Sequence, residues 1–211
     1  MIKPKVWLSA AMTDPSLNKY AKSDVNENNP AQALDTIARN LRGEKLPIEL
    51  FPKRAYGIYP DRKLKKLPDI CCLWGFWTFS SKCKRIFTQF DLGESTFRPI
   101  TVLQHDRCTL VEGQYFTINF AETKSSFRPE LSRVRNCYPD NVDSRLWTLH
   151  YDAKINDVVV DNSALNQPDL WIEEQFKSAF FMSDRLVQAL RDAKLTRRFK
   201  LYRCQIQTSS P

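Results

Sequence analysis

Apolar and polar positions along this chain follow one succession of periods twice. Pro68-Asp69-Ile70 leads to the aromatic run Trp77-Thr78-Phe79, then Ser80, then apolar residues at Cys83, Ile86, Phe87 and Phe90, and finally Leu92 and Phe97. Pro168-Asp169-Leu170 leads likewise to Phe180-Phe181-Met182, Ser183, apolar Leu186, Ala189, Leu190 and Ala193, and finally Leu195 and Phe199. Between Ser80/Ser183 and Leu92/Leu195 the offset is a constant 103 residues, slipping by one at the closing Phe. The aromatic run predicts a strand, the Ser an N-cap whose oxygen accepts from a free backbone N–H, and the i, i+3, i+4, i+7 set a helix with one buried stripe. Each module is therefore strand, capped helix, strand. Helical spacing alone recurs in unrelated helices, but this ordered set argues for duplication, and two modules are expected to share one core.

Outside the modules the signals are sparser. Asn29 is placed to cap a helix with Pro30 at its first position, Leu34, Ile37, Ala38 and Leu41 as its stripe, and Gly43 after its end. Thr13 to Glu27 is polar and predicts a loop, and Leu46 to Pro60, with Pro47, Pro52, Gly57 and Pro60, predicts an extended surface segment. Ile100 to Leu103, Gln114 to Phe120, Leu146 to Tyr151 and Val158 to Val160 are strand-like, with turns at Glu112-Gly113 and Pro139-Asp140-Asn141. Few helices among runs of strands indicate an α+β fold with a mixed or antiparallel sheet. The organisation expected is an N-terminal segment, residues 1–66, packed on a duplicated-module domain, residues 67–211, as one compact unit.

With 211 residues, 42% of them hydrophobic, the chain can bury a substantial core. It has no apolar run long enough to span a membrane and no signal-peptide core at its start, so a soluble cytoplasmic protein is expected, with no membrane partner. Six cysteines show no framework spacing and suit buried, reduced thiols. The net charge is +8, and residues 61–102 hold the largest excess, eight basic against four acidic groups. Arg62, Lys63, Lys65, Lys66, Lys82, Lys84 and Arg85 carry it. Such a surface suits an acidic partner, although any single lysine is as well explained by solubility.

Local chemistry is scarce. His105 and Cys108 form an H-x-x-C with no second ligand pair, and the five glycines form no phosphate-cradling loop, so neither a metal nor a cofactor is expected. Glu173-Glu174 are adjacent rather than convergent and are expected in a solvated loop. No catalytic residue is assigned and an enzyme is not expected. Most aromatics fit the core. Trp74 and Trp171 each follow a Pro-Asp in a loop-like stretch, where the ring would either close the core edge or face a partner.

The unit of Pro-Asp, aromatic strand, Ser, apolar helix, Leu and Phe resembles the repeat of a bacterial immunity-protein family, the eleventh of the numbered polymorphic-toxin immunity families. The likeness spans about residues 67 to 207. It is densest from Asp169-Leu170-Trp171 through Phe180-Phe181-Met182-Ser183-Asp184-Arg185-Leu186 to Phe199, with Gln114 to Phe120 similar to the family's central strand and Pro99 to Val102 to the one before it. The family often has Gly after the Leu-Thr pair, where this chain has Arg197. The resemblance implies a non-enzymatic cytoplasmic protein that binds and neutralises a cognate bacterial toxin in interbacterial competition. On that reading, residues expected to touch the toxin are Trp74, Trp171 and Arg197 as anchors and Lys63, Lys65 and Lys66 as a basic patch facing an acidic surface. The alternative is a basic nucleic-acid-binding module, for which the chain has the charge but neither an RNP-like run nor a helix-turn-helix.

Overall fold

The computed structural model describes residues 4–140 and 145–207. Asn141 of the expected 139–141 turn lies outside them. The described chain forms two large mixed sheets, a two-stranded ribbon and four helices: α1 (Asp24–Asn28), α2 (Pro30–Asn40), α3 (Ser81–Phe87) and α4 (Asp184–Asp192). The α+β class follows directly.

Strand order shows how far the duplication reaches. The first sheet runs Asn18–Lys19, Ile70–Leu73, Phe76–Ser80, Tyr115–Asn119, Thr96–Leu103, Arg54–Gly57 and Ala21–Ser23. The second runs Thr123–Lys124, Leu170–Glu173, Phe180–Ser183, Val6–Ser9, Leu201–Gln207 and Val159–Asp161. Position by position the two orders agree, and so does the sense of each pairing: parallel at both ends of the shared six, antiparallel between. Registers agree as well. Ser80 faces Tyr115 and Tyr115 faces Ile100, while Ser183 faces Val6 and Val6 faces Cys204.

The repeat thus extends well beyond residues 67–211. Strands at 18–19 and 54–57 belong to the first sheet with the first module, so the division expected at residue 67 does not coincide with the sheets. Each half of the chain also gives its leading strand to the other: Val6–Ser9 lies in the second sheet and Tyr115–Asn119 in the first. A cation from the neighbouring helix covers the ring of each exchanged strand, Arg191 of α4 over Trp7 at 4.1 Å and Lys84 of α3 over Phe116 at 4.9 Å.

Both modules bury most of their helical stripes in one core, although Ala193, past the end of α4, is exposed and Ala189 half-buried. Cys83 and Phe87 of α3 and Leu186 and Leu190 of α4 are fully buried there with Phe79, Phe180 and Phe199, and Ile86 packs against them. Phe79 and Phe180, one from each sheet, meet at 6.5 Å. The closing phenylalanines differ in place: register matches Phe97 to Leu201, and Phe199 stands just before its strand. Both rings nevertheless pack on Phe87, at 5.7 and 6.3 Å.

The N-terminal half departs most from expectation. Thr13 to Glu27 is not a plain loop: it holds strands at 18–19 and 21–23, and Ser23 caps α1 by accepting from Asn26 N at 3.3 Å. Leu46 to Pro60 contains the strand Arg54–Gly57, whose Ala55 and Tyr56 are buried. Helix α2 starts as predicted, Asn29 accepting from Gln32 N at 3.1 Å ahead of Pro30. Of its expected stripe, Ile37 and Leu41 pack against the core, but Ala38 is exposed and Leu34 is 59% exposed, and the fully buried positions are Ala33, Thr36 and Asn40. Asn40 fixes that rotation. Its amide donates to the Ile118 carbonyl at 3.0 Å and its oxygen accepts from Phe120 N at 2.8 Å and the Asn119 amide at 3.0 Å, satisfying buried groups at the end of a strand.

Candidate interaction surface

The most strongly hydrogen-bonded polar groups are structural. In each module the Ser that caps the helix, accepting from Cys83 N or Leu186 N at 3.3 Å, also donates to the Asp eleven or fourteen residues before it. Ser80 reaches Asp69 Oδ1 at 2.7 Å and Ser183 reaches Asp169 Oδ1 at 2.5 Å. The motif Asp therefore ties the first strand of the hairpin to the helix start, which explains why Pro-Asp opens both copies. The second copy adds a guanidinium fork from Arg185, at 2.5 and 2.6 Å. Burial pushes the Asp169 carboxyl up, but the bonds from Arg185 and Ser183 outweigh it and hold it below the ordinary value.

Trp171 is not in a loop. It lies in the strand Leu170–Glu173, is 0% exposed, stacks on Phe181 at 5.9 Å and donates from Nε1 to Glu173 at 2.8 Å. Its register equivalent is Cys71, not Trp74, so of the two roles weighed for its ring it has the core-closing one. Glu173 is likewise buried rather than solvated, accepting from Ser126 N at 2.9 Å, Phe127 N at 3.1 Å and the Ser126 hydroxyl, and burial raises its pKa. Lys124 lies over the Trp171 ring at 3.6 Å and donates to the carbonyls of Ala164, Asn166 and Pro168; burial pushes its amine down to about 8.

Trp74 does occupy a loop, the two-residue turn between Ile70–Leu73 and Phe76–Ser80. Trp74 and Gly75 both have positive φ, 48° and 89°, as a tight hairpin of this twist requires. Its ring is partly buried against the cluster of Leu46, Phe51 and Phe76. Arg197 is exposed in the turn Thr196–Arg198, and the left-handed backbone that a Gly could have supplied there falls instead on Lys194 and Lys200, at φ 57° and 47°. Lys63, Lys65 and Lys66 are exposed in one segment, Lys66 paired with Glu112 at 2.5 Å. Just before them, Arg62 lies over the Tyr59 and Tyr20 rings at 5.3 and 5.8 Å, and those rings are 40% and 61% exposed. Among the described residues no hydrogen bond or ring contact joins Trp74, Trp171 and Arg197 to one another.

A second basic, aromatic surface lies where the two halves of the repeat differ. Between its first and penultimate strands the first half carries α1 and α2; the corresponding stretch of the second half carries the ribbon Val134–Asn136 and Trp147–Leu149. A groove of about 680 Å³ runs beside that ribbon, lined by Ala10, Arg135, Leu149, His150, Tyr151, Lys200, Leu201 and Tyr202, with Thr13 at its margin. Tyr151 is 86% exposed, and the Arg135 guanidinium carbon lies 4.4 Å from its ring centre.

A family model described as an immunity protein family, Imm11, matches residues 11–202, which include both sheets' hairpins, both module helices and every groove residue except Ala10. The chain belongs to the Imm11 immunity protein family. No curated protein gives a significant match. Sequence reasoning did not single out Arg135, Tyr151 or Tyr202, which the fold brings to this groove. Arg135 lies in the strand Val134–Asn136, Tyr151 in the turn after Trp147–Leu149 and Tyr202 in the strand Leu201–Gln207, segments that meet only in the folded chain. All six thiols are free; Cys71, Cys72, Cys83 and Cys204 are buried as expected, with burial pushing the Cys71 and Cys83 thiols up to about 12, whereas Cys108 is exposed and Cys137 half-buried.

Proposed function

We propose that this protein is the immunity partner of a bacterial toxin, which it neutralises by stable one-to-one association without bond-making chemistry. The observation that carries the proposal is the Imm11 match over residues 11–202. Two features of the molecule support it. Basic residues lie beside exposed tyrosines at two places, around Arg62 and around Arg135, and Arg and Tyr are the side chains over-represented among energetically dominant interface residues. No helix among the described residues is long and apolar enough to cross a membrane.

We place the association in the cytoplasm, where a toxin delivered by a competing or sister cell would act. The partner face is acidic. A toxin acting inside the cell leaves little tolerance for free molecules, so the affinity is nanomolar or tighter, on the order of −12 kcal/mol. Long-range attraction from Lys63, Lys65 and Lys66 speeds encounter, while the aromatic and Arg groups slow release. Co-expression tests the proposal. Cells making the toxin encoded beside this gene should grow only when this protein is also made; growth arrest with and without it contradicts the proposal.

A further inference from the structure

We infer that the groove beside the ribbon Val134–Asn136/Trp147–Leu149 is the seat of an acidic segment of the toxin, one bearing carboxylates for Arg135 and Lys200 and an apolar side chain among its contacts. The inference rests on the immunity reading and names the surface that performs it. Ala10, Leu149 and Leu201 contribute apolar surface to a concavity of about 680 Å³. Tyr151, Tyr202, Arg135, Lys200 and His150 also line it. That combination of apolar, aromatic and cationic groups is what an anchor with charged neighbours requires.

The charges in the groove are unbalanced. Arg135 has no carboxylate partner among the described residues: Nε donates to the Leu149 carbonyl at 3.3 Å and the guanidinium face lies on Tyr151. Its terminal N–H groups keep the geometry of a fork that suits a carboxylate. Lys200 has one acidic neighbour, Asp14, at 3.5 Å. Asp152 is held by both oxygens to Arg133 at 2.7 Å and contacts His150, and Asp157 is tied to the same Arg133 at 3.1 Å. Arg197 and Arg198 precede Lys200 in an exposed turn, and Arg203 follows it, tied through Nε to Asn156. Among the described residues these carboxylates are thus engaged, while Arg135 has none.

The repeat supplies an independent argument. Ala10 at the groove is the register equivalent of Asn119, since Ala10 N donates to the Lys200 carbonyl while Asn119 pairs with Thr96. Asn119 is held under α2 through Asn40, and Leu46 N donates to its oxygen at 3.0 Å. The first half closes this place with a helix; the second leaves it as a groove edged by the ribbon. A ring as exposed as Tyr151, stacked by an Arg, is a preordered contact rather than core packing.

The test is a titration of purified full-length protein with the toxin encoded beside its gene, by wild type, Tyr151→Ala, Arg135→Lys and Arg135→Glu/Lys200→Glu. Tyr151→Ala should raise Kd about 30-fold or more through faster dissociation. The double reversal should abolish measurable binding, and Arg135→Lys should fall between wild type and Tyr151→Ala, all at an unchanged melting temperature. Unchanged Kd in Tyr151→Ala and in the double reversal, with wild type binding tightly, overturns the groove and leaves immunity standing. Failure of wild type to bind overturns both. Groove variants that lose generic RNA binding while keeping the toxin overturn the assignment to a protein segment.

Discussion

The hydroxyl of Ser183 donates to the Asp169 carboxylate at 2.5 Å, and Ser80 makes the same bond to Asp69 in the other half of the molecule. Only Asp169 also receives an Arg fork and the backbone N–H of Asp91, at 3.0 Å. Removing a buried carboxylate orphans each of those donors. Asp169→Ala should therefore destabilise by roughly 3 kcal/mol and Asp69→Ala by less, as measured by urea unfolding. Equal costs would show that the Arg185 fork contributes nothing.

A pH dependence follows from the same carboxylate. Its folded-state value lies below the ordinary one, so its stabilisation is complete above the ordinary carboxylate range and is lost as pH falls through the lowered value. The stability gap between wild type and Asp169→Asn should be constant near neutrality and narrow below about pH 4. A gap that widens in acid contradicts the sign.

The shared core makes a further prediction. Phe87 and Leu190 lie in different modules, yet both are fully buried in one cluster. Phe87→Ala and Leu190→Ala should each cost about 2 to 5 kcal/mol as cavity-forming changes, and each variant should still unfold in one transition. Two separate thermal transitions in either variant would mean the halves do not share a core.

The modules were legible because their signals are local. Ser80 and Ser183 cap the helices that start at the next residue, and the buried residues of α3 and α4 lie within about two turns of those caps. The rest of the duplication was not, because it resides in pairing between distant segments. Val6–Ser9 is apolar enough to be a strand, but nothing in it says that it pairs with Phe180–Ser183 rather than with its own half. On α2, the apolar spacing set Ile37 and Leu41 rightly against the core but not Leu34 and Ala38, because the decisive contacts are polar, from Asn40 to the backbone at Ile118 and Phe120. Of the residues expected to touch a partner, Arg197 and the three lysines are exposed, whereas the ring of Trp171 is enclosed by its own sheet.

Charge should govern encounter more than lifetime. Lys63, Lys65 and Lys66 are exposed in one short segment, so reversing all three to Glu should slow association with the toxin several-fold at low salt and leave dissociation nearly unchanged. Stopped-flow kinetics at two salt concentrations measure this. Association that is unchanged at low salt would confine these lysines to solubility.

The central claim is that this Imm11 protein neutralises a toxin by holding it, and the measurement that meets it most directly is the equilibrium affinity of the purified pair. Isothermal titration of the full-length protein with the toxin encoded beside its gene should give one-to-one stoichiometry and a Kd of about 1 nM or lower. A Kd in the micromolar range or weaker, or no heat of binding at all while the protein remains folded, would contradict it.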